Sequence, residues 1–151
     1  MKKIFALTVI IAMPCLANFD GYYQRSFSKT SYLKTQFTSS DTAAFHIGCG
    51  SNTVGQPFSI IVVKHPSFYQ SHRRFNILLS VDDSKEYILD GATKQYEDMY
   101  YSKHNPPEEL FTEIRKGHTL QVKFLENQKL IFALKGSNRA YQQLWEECGL
   151  L

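Results

Sequence analysis

The sequence lacks the residue patterns that most enzymatic signatures require. Its three cysteines form no Cys-x-x-Cys pair, and its five histidines (His46, His65, His72, His104 and His118) never share helical metal-ligand spacing. A zinc site of the common kinds is therefore not expected. The chain has no His-Glu-x-x-His, no Gly-x-Ser-x-Gly elbow and no phosphate-cradling glycine loop. Zinc-peptidase, serine-hydrolase and nucleotide-binding readings all lose their usual carriers. Acidic neighbours occur at Asp82-Asp83, Glu97-Asp98, Glu108-Glu109 and Glu146-Glu147. Adjacency in sequence is no sign of a glycosidase pair, whose spacing is spatial. The sequence thus assigns no catalytic residue, no metal ligand and no cofactor, and a non-enzyme is expected.

A dominant charge and a membrane-spanning run are missing too. Removing residues 1–17 takes away Lys2 and Lys3, leaving 15 basic against 14 acidic residues and a formal net charge of +1. Nucleic acid is an unsuitable partner for so balanced a chain. The longest apolar stretch after residue 17, Phe58 to Val63, has the length of a strand. Spanning a bilayer takes about 20 residues, so no integral segment is expected in the mature chain.

What is present begins at the amino terminus. Lys2 and Lys3 precede the apolar run Ile4–Ala12, and Cys15 and Ala17 place small residues ahead of a cut before Asn18. This is the pattern of a secretory signal peptide over residues 1–17. Pro14 directly before Cys15 fits a lipoprotein signal poorly. A mature domain of residues 18–151, periplasmic or secreted, is expected, and its 134 residues suffice for one core.

Only Cys49 and Cys148 then remain. An even pair in an oxidising compartment predicts a disulfide rather than a nucleophile at Gly48-Cys49-Gly50. Closing a loop of about 100 residues is worth about 4–5 kcal/mol in the chain-entropy model.

Periodicity supplies the fold class. Residues 18–31 read as a flexible arm or a first irregular strand, and Tyr32–Thr38 as a strand. Phe45, Ile47 and Cys49 alternate with His46 and Gly48, predicting a half-buried strand with His46 outside. Phe58–Lys64 reads as a central strand and Phe75–Val81 as another, followed by an Asp82-Asp83-Ser84 turn. Glu86–Leu89 is a short return strand, Asp90-Gly91 a second turn signal, and Lys94–Ser102 a less regular strand. Asn105-Pro106-Pro107 opens a helix, with Asn105 as its cap and Gly117 in the left-handed position after it. Leu120–Phe124 and Leu130–Leu134 form a hairpin through Asn127-Gln128. Gly136-Ser137 starts a last helix whose Ala140, Leu144 and Cys148 share a face. The expected fold is α+β: a single antiparallel sheet or curled sandwich of about six to eight strands, two short helices and one disulfide. Its expected core contains Phe45, Ile47, Phe58, Ile60, Ile77, Leu79, Val122, Phe124 and Phe132.

One segment exceeds structural need. Tyr96, Met99, Tyr100 and Tyr101 cluster beside Glu97 and Asp98. Tyrosine offers a large contact area at low entropic cost, so these four are candidate binding residues. Cross-strand aromatic packing is the alternative. Arg73 and Arg74, near Tyr69, form a second candidate patch for an anionic partner.

The order from Phe45-His46-Ile47-Gly48-Cys49-Gly50, through the helix ending at Gly117 and the hairpin, to Lys135-Gly136-Ser137-Asn138-Arg139-Ala140 and Cys148 resembles the type VI secretion-associated TagO/VasI-like proteins. It is also similar to invasion-associated locus B-like proteins. The resemblance covers about residues 45–150 and implies an envelope protein that binds a partner, such as a secretion-system accessory. An inhibitor or immunity protein against a peptidoglycan-degrading hydrolase fits the same features. An inhibitor is expected to carry anchors on a protruding loop, with His65–Arg74 and Tyr96–Asn105 as the candidate segments.

Overall fold

A computed structural model of the protein describes residues 19–26, 32–39, 43–51, 54–69, 73–124 and 128–148. The leader, His72, Asn127 and Gly149 lie outside the described residues. Among the described residues, nine strands form one antiparallel sheet: β1 (Phe19–Ser26), β2 (Tyr32–Ser39), β3 (Ala44–Ser51), β4 (Pro57–Lys64), β5 (Arg74–Val81), β6 (Tyr87–Thr93), β7 (Met99–Ser102), β8 (Thr119–Phe124) and β9 (Gln128–Ala133). Within the same residues lie two helices, α1 (Glu108–Lys116) and α2 (Ser137–Glu147), and a 3-10 turn at Pro66–Phe68. The class is the expected one, with one strand more than the expected range. The extra strand is β1, which pairs with β2 over its length apart from one irregularity between Phe19 and Tyr22.

The strand order is β1-β2-β3-β4-β7-β6-β5-β8-β9. β1 to β4 form a meander. The chain then lays β5 three positions away and returns through β6 and β7 to the edge of β4. α1 carries it back across to β8, beside β5. Two neighbouring pairs, β4/β7 and β5/β8, are therefore distant in sequence. The sheet curls into a half-barrel, bringing β9 near β2. The Phe45 and Phe132 rings meet across the interior with centroids 5.8 Å apart.

The helices close one side. Leu110, Phe111 and Ile114 form the buried face of α1, and Ala140, Tyr141 and Leu144 that of α2. Phe111 packs against Tyr141 and Trp145, and Ser137 Oγ donates to the Ile114 carbonyl at 2.7 Å. Cys148, at the end of α2, is joined to Cys49 of β3, with Cα atoms 6.1 Å apart. The expected pairing is the one observed, and it fixes α2 against the sheet.

Several local expectations change. In β4 the core residues are Ile61 and Val63, while Phe58 and Ile60 are only half-buried. An unbroken apolar run carries no alternation to fix its inward face. His46 keeps the face opposite to Phe45 and Ile47, as expected, but is buried there. Asp90-Gly91 is not a turn; both residues lie inside β6. A Cβ on Gly91 would overlap the Tyr100 ring and the Tyr101 carbonyl, so this glycine serves close packing rather than reversal. Asn105 does not cap α1. Its Oδ1 accepts the Ser59 backbone N–H at 3.0 Å, tying β4 to the loop, and Pro107 precedes the helix without a side-chain cap. Gly117 is extended, φ −81°. A side chain there would strike Val81.

Candidate functional site

The two segments expected to carry anchors meet at one end of the sheet. The His65 backbone N–H donates to the Asp98 carbonyl at 2.8 Å, and Lys64 pairs with the Asp98 carboxylate at 3.4 Å. These contacts join the connection after β4 to the turn between β6 and β7. His65 also caps the Pro66–Phe68 turn, its Nδ1 accepting from the Ser67 N–H at 3.3 Å. Its ring packs edge-on against Phe124, 5.2 Å away, and partial burial pulls its pKa below the ordinary value. The short turn sends Phe68 into the core, fully buried, and leaves Tyr69 52 % exposed.

The opposing turn presents Tyr96. The Glu97 N–H donates to the Lys94 carbonyl at 3.1 Å, which places Tyr96 at the third position of a four-residue turn. Its φ is +63°. Glycine is usual in that position, and a bulky side chain there is uncommon. Tyr96 is 70 % exposed, and its ring stands edge-on to Tyr69 with centroids 6.3 Å apart. Two exposed aromatic rings from separate loops thus form one tip.

Beside the tip, the outer face of β5, β6 and β7 holds most of the other candidate residues. Arg74 lies opposite Ala92, and Ala92 opposite Tyr101. Directly opposed residues share a face, so the small Ala92 makes a dip between an arginine and a tyrosine. Asp90, Lys94 and Lys103 complete its rim, and the dip encloses 240 Å³. Lys94 Nζ sits 4.9 Å from the centre of the Tyr101 ring. The Tyr101 hydroxyl donates to Glu97 at 2.8 Å, with the half-buried Met99 sulfur 3.3 Å away. Arg73 is exposed just before β5.

Tyr100 does not belong to this surface. Consecutive strand residues face opposite ways, and Tyr100 is fully buried. Its hydroxyl donates to the Leu89 carbonyl at 2.8 Å, and its ring packs 5.0 Å from Phe75. Burial, with the Asp90 charge as a lesser cause, pushes its pKa well up. The sequence placed all four clustered residues together; the pleat removes this one. Sequence reasoning gave Lys94 and Lys103 no role, since their meeting with Arg74 depends on the β5/β6/β7 order.

A wider groove of 420 Å³ runs between α1 and the β5–β6 turn. Its polar groups serve each other. Glu113 accepts from the Tyr87 hydroxyl at 2.8 Å and from Ser84 Oγ at 2.9 Å. Burial first, and the Glu113 carboxylate second, push the Tyr87 pKa up to about 12. Asp82 accepts the His118 and Thr119 backbone N–H groups, which joins the turn to the start of β8.

Among the described residues, no group of three His, Cys, Asp or Glu side chains could hold a metal ion, and no helix is long and apolar enough to cross a membrane. No protein-family model, curated protein or solved structure matches the chain.

Proposed function

We propose that the protein is a non-enzymatic, protein-binding domain of the bacterial envelope, secreted through its leader and stabilised there by the Cys49–Cys148 disulfide. The observation that carries this reading is the Tyr69–Tyr96 tip. Tyr96 holds an aromatic side chain in a left-handed backbone that costs about 1–2 kcal/mol relative to the right-handed one. Strain kept at an exposed residue, with no core contact to require it, supports a functional role for that residue. Tyrosine anchors are common where protein surfaces meet.

Two paired anchors on adjacent turns favour the inhibitor or immunity form of this reading, in which the tip enters the cleft of an envelope-acting hydrolase. The secretion-accessory form rests on the TagO/VasI-like sequence resemblance.

The test is affinity capture from the periplasm of the source bacterium, identification of the bound protein and titration of the purified pair. Tyr69→Ala and Tyr96→Ala should each weaken that binding by about tenfold or more with the melting temperature unchanged. Unaltered affinity in the double variant rejects the tip as the binding site.

A further inference from the structure

The dip beside the tip has a chemistry of its own. Resting on the partner-binding reading above, we infer that it receives a carboxylate side chain from an acidic segment of the partner protein.

Charge complementarity is the first reason. Arg74, Lys94 and Lys103 converge on the depression over Ala92. Among the described residues, no carboxylate lies within ion-pair distance of Arg74 or Lys94; Lys103 reaches Asp90 only at 4.0 Å. Lys94 instead lies over the Tyr101 face, which holds a cation without neutralising it. Two positive groups therefore border the dip with their charge unspent, in a chain whose mature net charge is only +1.

Size is the second reason. A volume of 240 Å³ lies below the roughly 300–1,000 Å³ of small-molecule and cofactor sites, so a single side chain suits it better than a free ligand. The third reason is Asp90. Its carboxylate lines the same dip and repels a uniformly anionic polymer or a dense lipid surface. A polypeptide can place a backbone N–H or a cation against Asp90 while its carboxylate meets Arg74 and Lys94. The adjoining tyrosines then cover the apolar neighbours of that acidic residue.

The probe is an N-acetylated, C-amidated peptide of alternating Glu and Leu, titrated into the isotopically labelled, oxidised mature chain. Amide shifts should concentrate at Ala92, Lys94, Tyr101 and Lys103. Raising salt from about 50 to about 300 mM should weaken binding, as screening requires. Arg74→Glu with Lys94→Glu should lower affinity about tenfold or more, and the milder Arg74→Gln with Lys94→Gln serves if charge reversal disturbs the fold. Absence of these shifts at millimolar peptide, or equal affinity in the altered chains, overturns the inference. So does tighter binding to phosphatidylglycerol vesicles with the same shifts, which would assign the dip to an anionic lipid. A captured natural partner that needs Tyr69 and Tyr96 but tolerates the charge changes removes this inference and leaves the partner-binding reading standing.

Discussion

The inner and outer faces of the β6–β7 pair use neighbouring residues for opposite ends. On the inner face Gly91 gives up a side chain so that the Tyr100 ring can lie against its backbone. One residue along, Ala92 gives up volume on the outer face and opens a dip beside Tyr101. The same residue type, tyrosine, is packing at position 100 and surface at position 101. Composition cannot separate the two; the pleat does.

The largest effect that would sharpen this contrast is at Tyr100. Tyr100→Ala should cost about 3–5 kcal/mol, as for a buried aromatic, and it also leaves the Leu89 carbonyl without its hydroxyl donor. Tyr101→Ala should change stability by less than about 1 kcal/mol. Urea denaturation of both variants measures the difference, and similar losses would dissolve the contrast. Next is the glycine. Gly91→Ala should destabilise by about 1–3 kcal/mol or more through overpacking, because the colliding Tyr101 carbonyl is backbone and cannot swing aside. Thermal melts that leave Gly91→Ala as stable as wild type would show that the sheet adapts there at little cost.

A smaller effect tests whether exposure alone marks the binding face. The Asp82 side chain is 40 % exposed, yet it holds the start of β8. Partial burial pushes its carboxyl pKa up, but hydrogen bonds from Thr119 and His118 outweigh this and set it below the ordinary 3.8. A depressed folded-state pKa gives stability that is present above the unfolded value and lost as pH falls through the folded one. Stability should therefore decline below about pH 4, and Asp82→Asn should flatten that decline. An unchanged acid limb in the variant would contradict the role.

The smallest effect has the opposite sign. Tyr96→Gly relieves the left-handed strain but adds unfolded-state freedom, for a net gain of about 0.5–1 kcal/mol. Partner binding should fall at the same time. A variant that loses stability instead would make Tyr96 structural and return the tip to ordinary packing.

The elements differ in how much of them the sequence reveals. Alternation located β3, β5 and β8, the helical stripes located α1 and α2, and the cysteine count gave the disulfide. Each of these signals is contained in a short window or in parity. The uniform run of β4 gave no inward face, and Asp90-Gly91 resembled a turn because the glycine's packing partner, Tyr100, lies on another strand. For the site, Tyr96, Met99, Tyr101, Arg73 and Arg74 were legible as interaction-prone residue types. A strand over Lys94–Ser102 puts Tyr100 and Tyr101 on opposite faces, but the sequence did not say which of the two turns inward.

The sequence by itself determined the leader pattern, the class of fold, the paired cysteines and the two segments bearing candidate anchors. Those follow from local periodicity, turn chemistry and charge, which act over a few residues. Only the tertiary structure decided that β7 returns to β4, that Tyr69 meets Tyr96, and that Arg74, Lys94 and Lys103 surround Ala92. Those neighbours lie up to about forty residues apart in sequence, and strand order, set by the joint packing of the whole sheet and its helices, is what brings them together.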